Sequence, residues 1–215
     1  MKKILLTLLV LGVAAGAYAQ ITFGARIGPD FSSWTSKSSG EKTTSKMLVG
    51  VEGGVYANIP VAPEFYVQPS LMYEGKGGKN TGADNVRVTT RLHYLVLPVD
   101  LVFKPEMPNG SGSWIVGVGP YLGYGISGNT LLDADSIKYS YNPFSGNAFS
   151  SGGDAIMKRL DVGADVQLGY EMANGFNIAL NADLGLVNIL NHASGDDSYR
   201  NTSFGVTVGY TLKQF

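Results

Sequence analysis

Residues 159–176 read RLDVGADVQLGYEMANGF, and the stretch alternates in chemistry at every step from residue 160 to residue 172. Leu160, Val162, Ala164, Val166, Leu168, Tyr170 and Met172 are apolar, while Asp161, Gly163, Asp165, Gln167, Gly169 and Glu171 stand between them. A period of two belongs to an extended strand with one apolar and one polar face. The fold turns on which of those faces looks outward.

The same period runs through the rest of the chain. It marks eight segments, at 20–28, 47–58, 64–75, 86–103, 113–127, 158–172, 176–187 and 200–213. Glycine is dense (29 residues) and no apolar i, i+3, i+4 stripe persists, so an all-β fold is expected. The connections at 59–63, 104–112 and 173–175 are short, whereas those at 29–46, 76–85, 128–157 and 188–199 are mostly longer and rich in Ser, Gly, Asn and Asp. Alternating short and long connections fit a meander with one tight and one elaborate end, as in bacterial outer-membrane barrels. The expectation is an eight-stranded antiparallel up-and-down transmembrane β-barrel.

Two closed arrangements satisfy the alternation. A soluble lipocalin-like carrier would hold the apolar face inside around a hydrophobic ligand; a membrane barrel would turn it to lipid. A polar face exposed to water favours Lys, Glu and Thr, yet here it is heavy with Gly, which relieves crowding in a narrow lumen beside Tyr121 or Arg26. Aromatic residues near segment ends, Phe23, Phe65, Trp114, Tyr170, Phe176 and Tyr210 among them, suit interfacial girdles. The membrane arrangement predicts an interior polar network of Arg26, Glu52, Glu74, Asp161, Asp165, Glu171, Asp183 and Lys213. Acids outnumber bases in that set, so some carboxyls need water, a hydroxyl partner or a proton.

The N-terminal MKKILLTLLVLGVAAGAYAQ has two lysines, an apolar run too short to span a bilayer, and Ala17-Tyr18-Ala19 before Gln20. It reads as a cleaved signal peptide over 1–19, leaving a barrel domain at 20–215. Cleavage would move the formal charge from −1 to −3 through loss of Lys2 and Lys3. No basic stretch points to nucleic acid. With no cysteine, the chain has no disulfide framework, thiolate metal site or catalytic thiol.

Several blocks resemble the porin-family outer-membrane β-barrel domain, PorT-like, of the type common in Bacteroidetes. They are ITFGARIG (21–28), FYVQPSLMYEGKGGK (65–79), HYLVLPVDLVFK (93–104), GPYLGYGISG (119–128) and the run 159–189, ending in Gly-Leu-x-Asn-Ile. The resemblance implies an outer-membrane location among outer-membrane lipids. It also implies recognition of the last strand, ending in Phe215, by the outer-membrane assembly machinery. Phe215 is out of phase with the even-numbered apolar residues 204–212, which a bulge or an overhanging end would reconcile. The fourth segment is expected to change phase between Leu92 and Leu95, placing Arg91 and His93 near the long-loop rim.

Chemistry is sparse. His93 and His192 are the only histidines, and His192 lies in a polar loop with Ser194, Asp196 and Asp197 but no sign of a fixed Ser-His-acid geometry. No catalytic, metal or cofactor residues are assigned; GKGGK (75–79) lacks the strand–loop–helix setting of a phosphate cradle and reads as a turn. The connection 128–157 carries Tyr139, Tyr141, Phe144 and Phe149 among small polar residues. These are candidate contacts for a protein or glycan partner, or alternatively a lid packed over the barrel mouth. The expected function is a non-enzymatic surface or envelope role without a wide pore. The alternatives are the lipocalin-like carrier and a lipid-modifying outer-membrane enzyme.

Overall fold

A computed structural model describes residues 21–38, 40–81, 86–134, 137–145, 155–191 and 197–212. The strands are β1 (Thr22–Ser38), β2 (Glu41–Thr44), β3 (Leu48–Ala62), β4 (Phe65–Thr81), β5 (Arg87–Phe103), β6 (Gly112–Ala134), β7 (Ile137–Tyr141), β8 (Leu160–Met172), β9 (Phe176–Gly185) and β10 (Ser198–Leu212). Eight of them, β1, β3, β4, β5, β6, β8, β9 and β10, pair antiparallel in chain order, and β10 returns to β1 from Phe23–Leu212 to Lys37–Ser198. The sheet is therefore a closed up-and-down barrel. β2 and β7 are short arms that fold back on β1 and β6 at the long-loop end.

The faces are those of a membrane barrel. Along β8, Leu168 is 51% exposed and Val166 40%, while Asp161 and Asp165 are 0% and 3% exposed. An apolar outside around a charged inside is the inverse of a soluble carrier, so the lipocalin arrangement is set aside. The short-turn end carries an aromatic girdle in which Phe65 meets Phe103 at 4.8 Å and Trp114 meets Tyr170 at 5.5 Å between ring centroids. Ten residue steps separate Trp114 from outward-facing Tyr124 on β6. At ~3.3 Å per step and ~40° of tilt they span about 25 Å, the height of the apolar band of such barrels.

The turns at the tight end follow from local chemistry. Between β8 and β9, Ala173-Asn174-Gly175 reverses the chain, with Gly175 at φ 91° and its N–H donated to the Met172 carbonyl at 2.9 Å. The Asn174 side chain accepts from the Phe176 N–H at 3.0 Å.

Several boundaries differ from those expected. β1 continues to Ser38 instead of stopping near residue 28, β4 continues to Thr81, and β6 runs to Ala134. GKGGK (75–79) is thus part of β4 and not a turn. Above the bilayer both faces of the sheet meet polar surroundings, so the strand persists after its hydrophobic contrast has gone. The phase change expected in the fourth segment lies elsewhere. β5 alternates without interruption, with Leu92, Tyr94, Val96 and Asp100 inside and Arg91, Leu95 and Leu97 outside. The irregularity is in β6, where the pairing steps from His93–Ser127 to Tyr94–Gly125 and Ile126 bulges out.

Candidate functional site

The bore is filled in layers. Nearest the short turns, Lys104 Nζ and Thr211 Oγ1 donate to the Glu171 carboxylate at 2.7 and 2.6 Å, and Asn177 donates to the Tyr56 hydroxyl at 2.9 Å. Above them an amide ladder crosses the barrel. Arg26 Nη1 donates to Gln167 Oε1 at 3.1 Å, Gln167 Nε2 to Gln68 Oε1 at 2.8 Å, and Gln68 Nε2 to Asn58 Oδ1 at 2.7 Å. Gln167 also reaches Asp100 at 3.3 Å, and Asn181 donates to Glu52 at 3.1 Å.

Higher still, Lys76 is 1% exposed and its ammonium lies 2.7 Å from Asp183 and 2.9 Å from Glu74. The same ammonium stands 4.5 Å from the Tyr121 ring centroid and 5.9 Å from that of Tyr94. Tyr121 packs onto Gly163, where a Cβ would come within 2.5 Å of its ring, so glycine at that place is what lets the ring cross the lumen.

An apolar cluster runs up one wall of the bore, from below the Glu74 level to the external mouth. Met72, Leu92, Tyr94, Val96, Tyr121, Phe144 and Met157 form one buried cluster. Phe144 meets Tyr94 edge-on at 5.9 Å, the Arg159 guanidinium stands 5.3 Å from the Phe144 ring, and Arg159 ties to the Gly125 carbonyl at 2.7 Å. Gly125 leaves the room that the Phe144 ring occupies. Of the two readings of the loop aromatics, Phe144 takes the lid: it is 4% exposed and offers no surface to a partner. Tyr139, 40% exposed, and Tyr141 sit on β7 with ring centroids 6.3 Å apart; Phe149 lies outside the described residues.

The residues expected in the lumen are placed as follows. Arg26, Glu52, Glu74, Asp161, Asp165, Glu171 and Asp183 are all buried within the ring, and Lys213 lies outside the described residues. Asp161 accepts from Asn201 at 3.0 Å, and Asp165 faces Asp183 across the β8–β9 ladder. Asp30, Lys76, Asp100 and Lys104 join the buried charges without having been foreseen. Asp100 was findable, since it falls on the inward parity of β5; Lys76 was hidden by the glycines around it. Among the described residues eight buried carboxyl side chains then face three buried cations. Amide and hydroxyl donors from Asn, Gln, Ser and Thr serve much of the excess.

His93 faces outward, with its Nδ1 2.6 Å from the Tyr73 hydroxyl and the two rings stacked at 5.9 Å. Among the described residues no carboxylate accepts a hydrogen bond from His93, and His192 with its neighbours Ser194 and Asp196 lies outside them. Among the described residues no group of three or more His, Cys, Asp or Glu side chains is disposed to hold a metal ion.

Residues 16–191 match the model of the outer membrane protein beta-barrel domain family. Among solved structures, OprG of Pseudomonas aeruginosa is similar at 16% identity and TM-score 0.48, covering 91% of this chain and 98% of its own. Ail of Yersinia pestis is similar at 12% identity and TM-score 0.41, over 88% and 98% of the two chains. Neisserial surface protein A is similar at 8% identity and TM-score 0.40, over 91% and 99%. No curated protein matches the chain. With its closed ring of strands, apolar outer band and a family match over most of its length, the chain belongs to the outer membrane protein beta-barrel domain family and resides in the cell outer membrane.

Proposed function

We propose that this protein is a non-enzymatic barrel of the PorT-like Bacteroidetes type that acts at the cell surface through its external strand extensions, without passing solutes through a wide pore. The observation that carries this reading is the occluded bore. The Lys76–Glu74–Asp183 cluster and the Phe144 layer above it span the lumen one over the other, and an eight-stranded ring leaves room only for such packed side chains. The external rim meets the surroundings, and there the β6–β7 hairpin carries Tyr139 and Leu131, 40% and 38% exposed. Tyrosine beside small polar residues is a common make-up for a recognition surface, here for a protein or glycan partner.

Catalysis is not part of the proposal, because the outward His93 is engaged by Tyr73 instead of an acid. Export through the 1–19 signal peptide, and handling of the C-terminal strand by the assembly machinery through Phe215, which lies outside the described residues, complete the reading. The test is single-channel recording in planar bilayers. The expected trace shows no steps of porin size; large, stable steps from the purified protein would overturn the occluded-bore reading.

A further inference from the structure

The outer wall carries a groove that the lumen does not explain. Along β4 the outward position next to Tyr73 on the external side is Gly75, which puts no side chain over the sheet, whereas Gly77 beyond it is buried against the Thr90 carbonyl and the Leu48 side chain. The neighbouring ladder is also irregular. Paired rungs of β3 and β4 stop at Glu52–Glu74, and contact resumes at the isolated bridge Lys46–Lys79, with five residues between on one side and four on the other. A hollow of about 310 Å³ results, flanked by Val49 and Val51 on β3 and by His93 and Arg91 on β5. A second hollow of about 250 Å³ adjoins it at Arg91 and continues to Lys79 and Asn129.

The upper end of this groove is basic. Lys46 and Lys79 exchange both backbone hydrogen bonds, at 2.8 and 3.0 Å, which sets their side chains on one face of the sheet as a like-charged cross-strand pair. Such a pair is destabilising when nothing anionic lies between it. Arg91 projects from the same outer face, and among the described residues none of the three forms an ion pair. The nearest outward carboxylate on these strands, Asp133, is placed opposite Arg87 and lies 3.9 Å from Lys138. The lower end of the groove is apolar and runs into the lipid-facing band.

The geometry points to a site for an anionic lipid of the external leaflet. Its phosphate is held by Lys46, Lys79 and Arg91, and an acyl chain lies over the floor at Gly75, between Val49, Val51 and His93. Two ammonium groups and a guanidinium fork suit phosphate oxygens, and charge-assisted contacts of this kind are the strong ones. The apolar continuation distinguishes a lipid from a free anion. The site is separate from the hairpin surface, and either could fail without the other.

The test uses the full mature chain in dodecylmaltoside micelles, titrated with diphosphoryl lipid A and with the same lipid after removal of its phosphates. Folding of each variant is checked by heat-modifiable migration on gels. The triple variant K46Q/K79Q/R91Q is expected to bind the phosphorylated lipid about tenfold more weakly or worse. The control triple K42Q/K138Q/K158Q, equal in charge removed, is expected to match wild type. Gly75→Leu fills the floor, and a Cβ there meets only Val51 and Gly50 backbone at 3.4 Å and beyond, so the strand tolerates it. It too is expected to weaken lipid binding about tenfold, with the basic groups intact. Equal binding by wild type and the K46Q/K79Q/R91Q variant, or equal binding of the two lipids, would overturn the site. Displacement of the lipid by millimolar inorganic phosphate, with Gly75→Leu silent, would overturn the lipid assignment in favour of a soluble anion.

Discussion

Replacement of Lys76 by Met is the sharpest test of how this barrel is held together. The lysine ammonium is shielded from solvent, 2.7 Å from Asp183 and 2.9 Å from Glu74, with the Tyr121 ring 4.5 Å away. Methionine keeps most of the volume but leaves two carboxylates close together with no cation between them. Removing one partner of a buried ion pair costs about 3–5 kcal/mol, because the remaining charge keeps its desolvation penalty and loses its compensation. That is a fall of about two to three and a half orders of magnitude in the folding equilibrium constant. The assay is urea-dependent folding into phosphatidylcholine vesicles, followed by tryptophan fluorescence, to which outward-facing Trp114 and buried Trp34 both contribute. The triple variant K76M/E74Q/D183N separates charge from packing, since replacing a whole buried ion cluster by neutral groups is often close to neutral. Recovery of most of the loss in the triple variant is expected. A Lys76→Met protein within 1 kcal/mol of wild type by this ~3–5 kcal/mol reckoning, or a triple variant no better than the single, would refute the argument.

Three further outcomes are expected. Val166 lies on the lipid face midway between the girdles of β8, so Val166→Arg should cost about 2–4 kcal/mol in the same folding assay, whereas Gln167 one step away faces the lumen. Phe144→Ala should open the mouth layer, at about 3 kcal/mol or somewhat less if water enters, and should speed proteolytic cleavage in the 137–160 region. Gly125→Val should expel the Phe144 ring from its seat and reproduce that protease sensitivity without removing the aromatic; an unchanged cleavage pattern would count against the lid.

How much of this could be read from the chain depended on where each strand lay. Between the girdles lipid and lumen differ in polarity, so residues 160–172 declare both strand and facing through alternation alone. Outside the bilayer that contrast vanishes, which is why DFSSWTSKS (30–38) passed for a loop although it pairs with β10 as far as Lys37. Leu92 misled for the opposite reason. It is an apolar residue facing inward, under Phe144, and so imitated a change of phase. Lys76 was obscured because Gly75, Gly77 and Gly78 resemble turn residues, whereas all three lie within β4 and the lysine among them reaches into the bore. Trp34 gave no signal at all: its ring is 3% exposed and lies 6.3 Å from that of Tyr199 on β10, a neighbour far away along the chain.

The pairing of β10 with β1 has a consequence for biogenesis. The first strand to leave the ribosome finds its second neighbour only when the last has been made, almost two hundred residues later. Until then the nascent sheet has two raw margins, each a row of unsatisfied amides and carbonyls able to recruit any passing extended chain. Closure is therefore a single late event that ends the danger all at once. Whatever escorts the polypeptide across the periplasm must cover those margins for the whole interval.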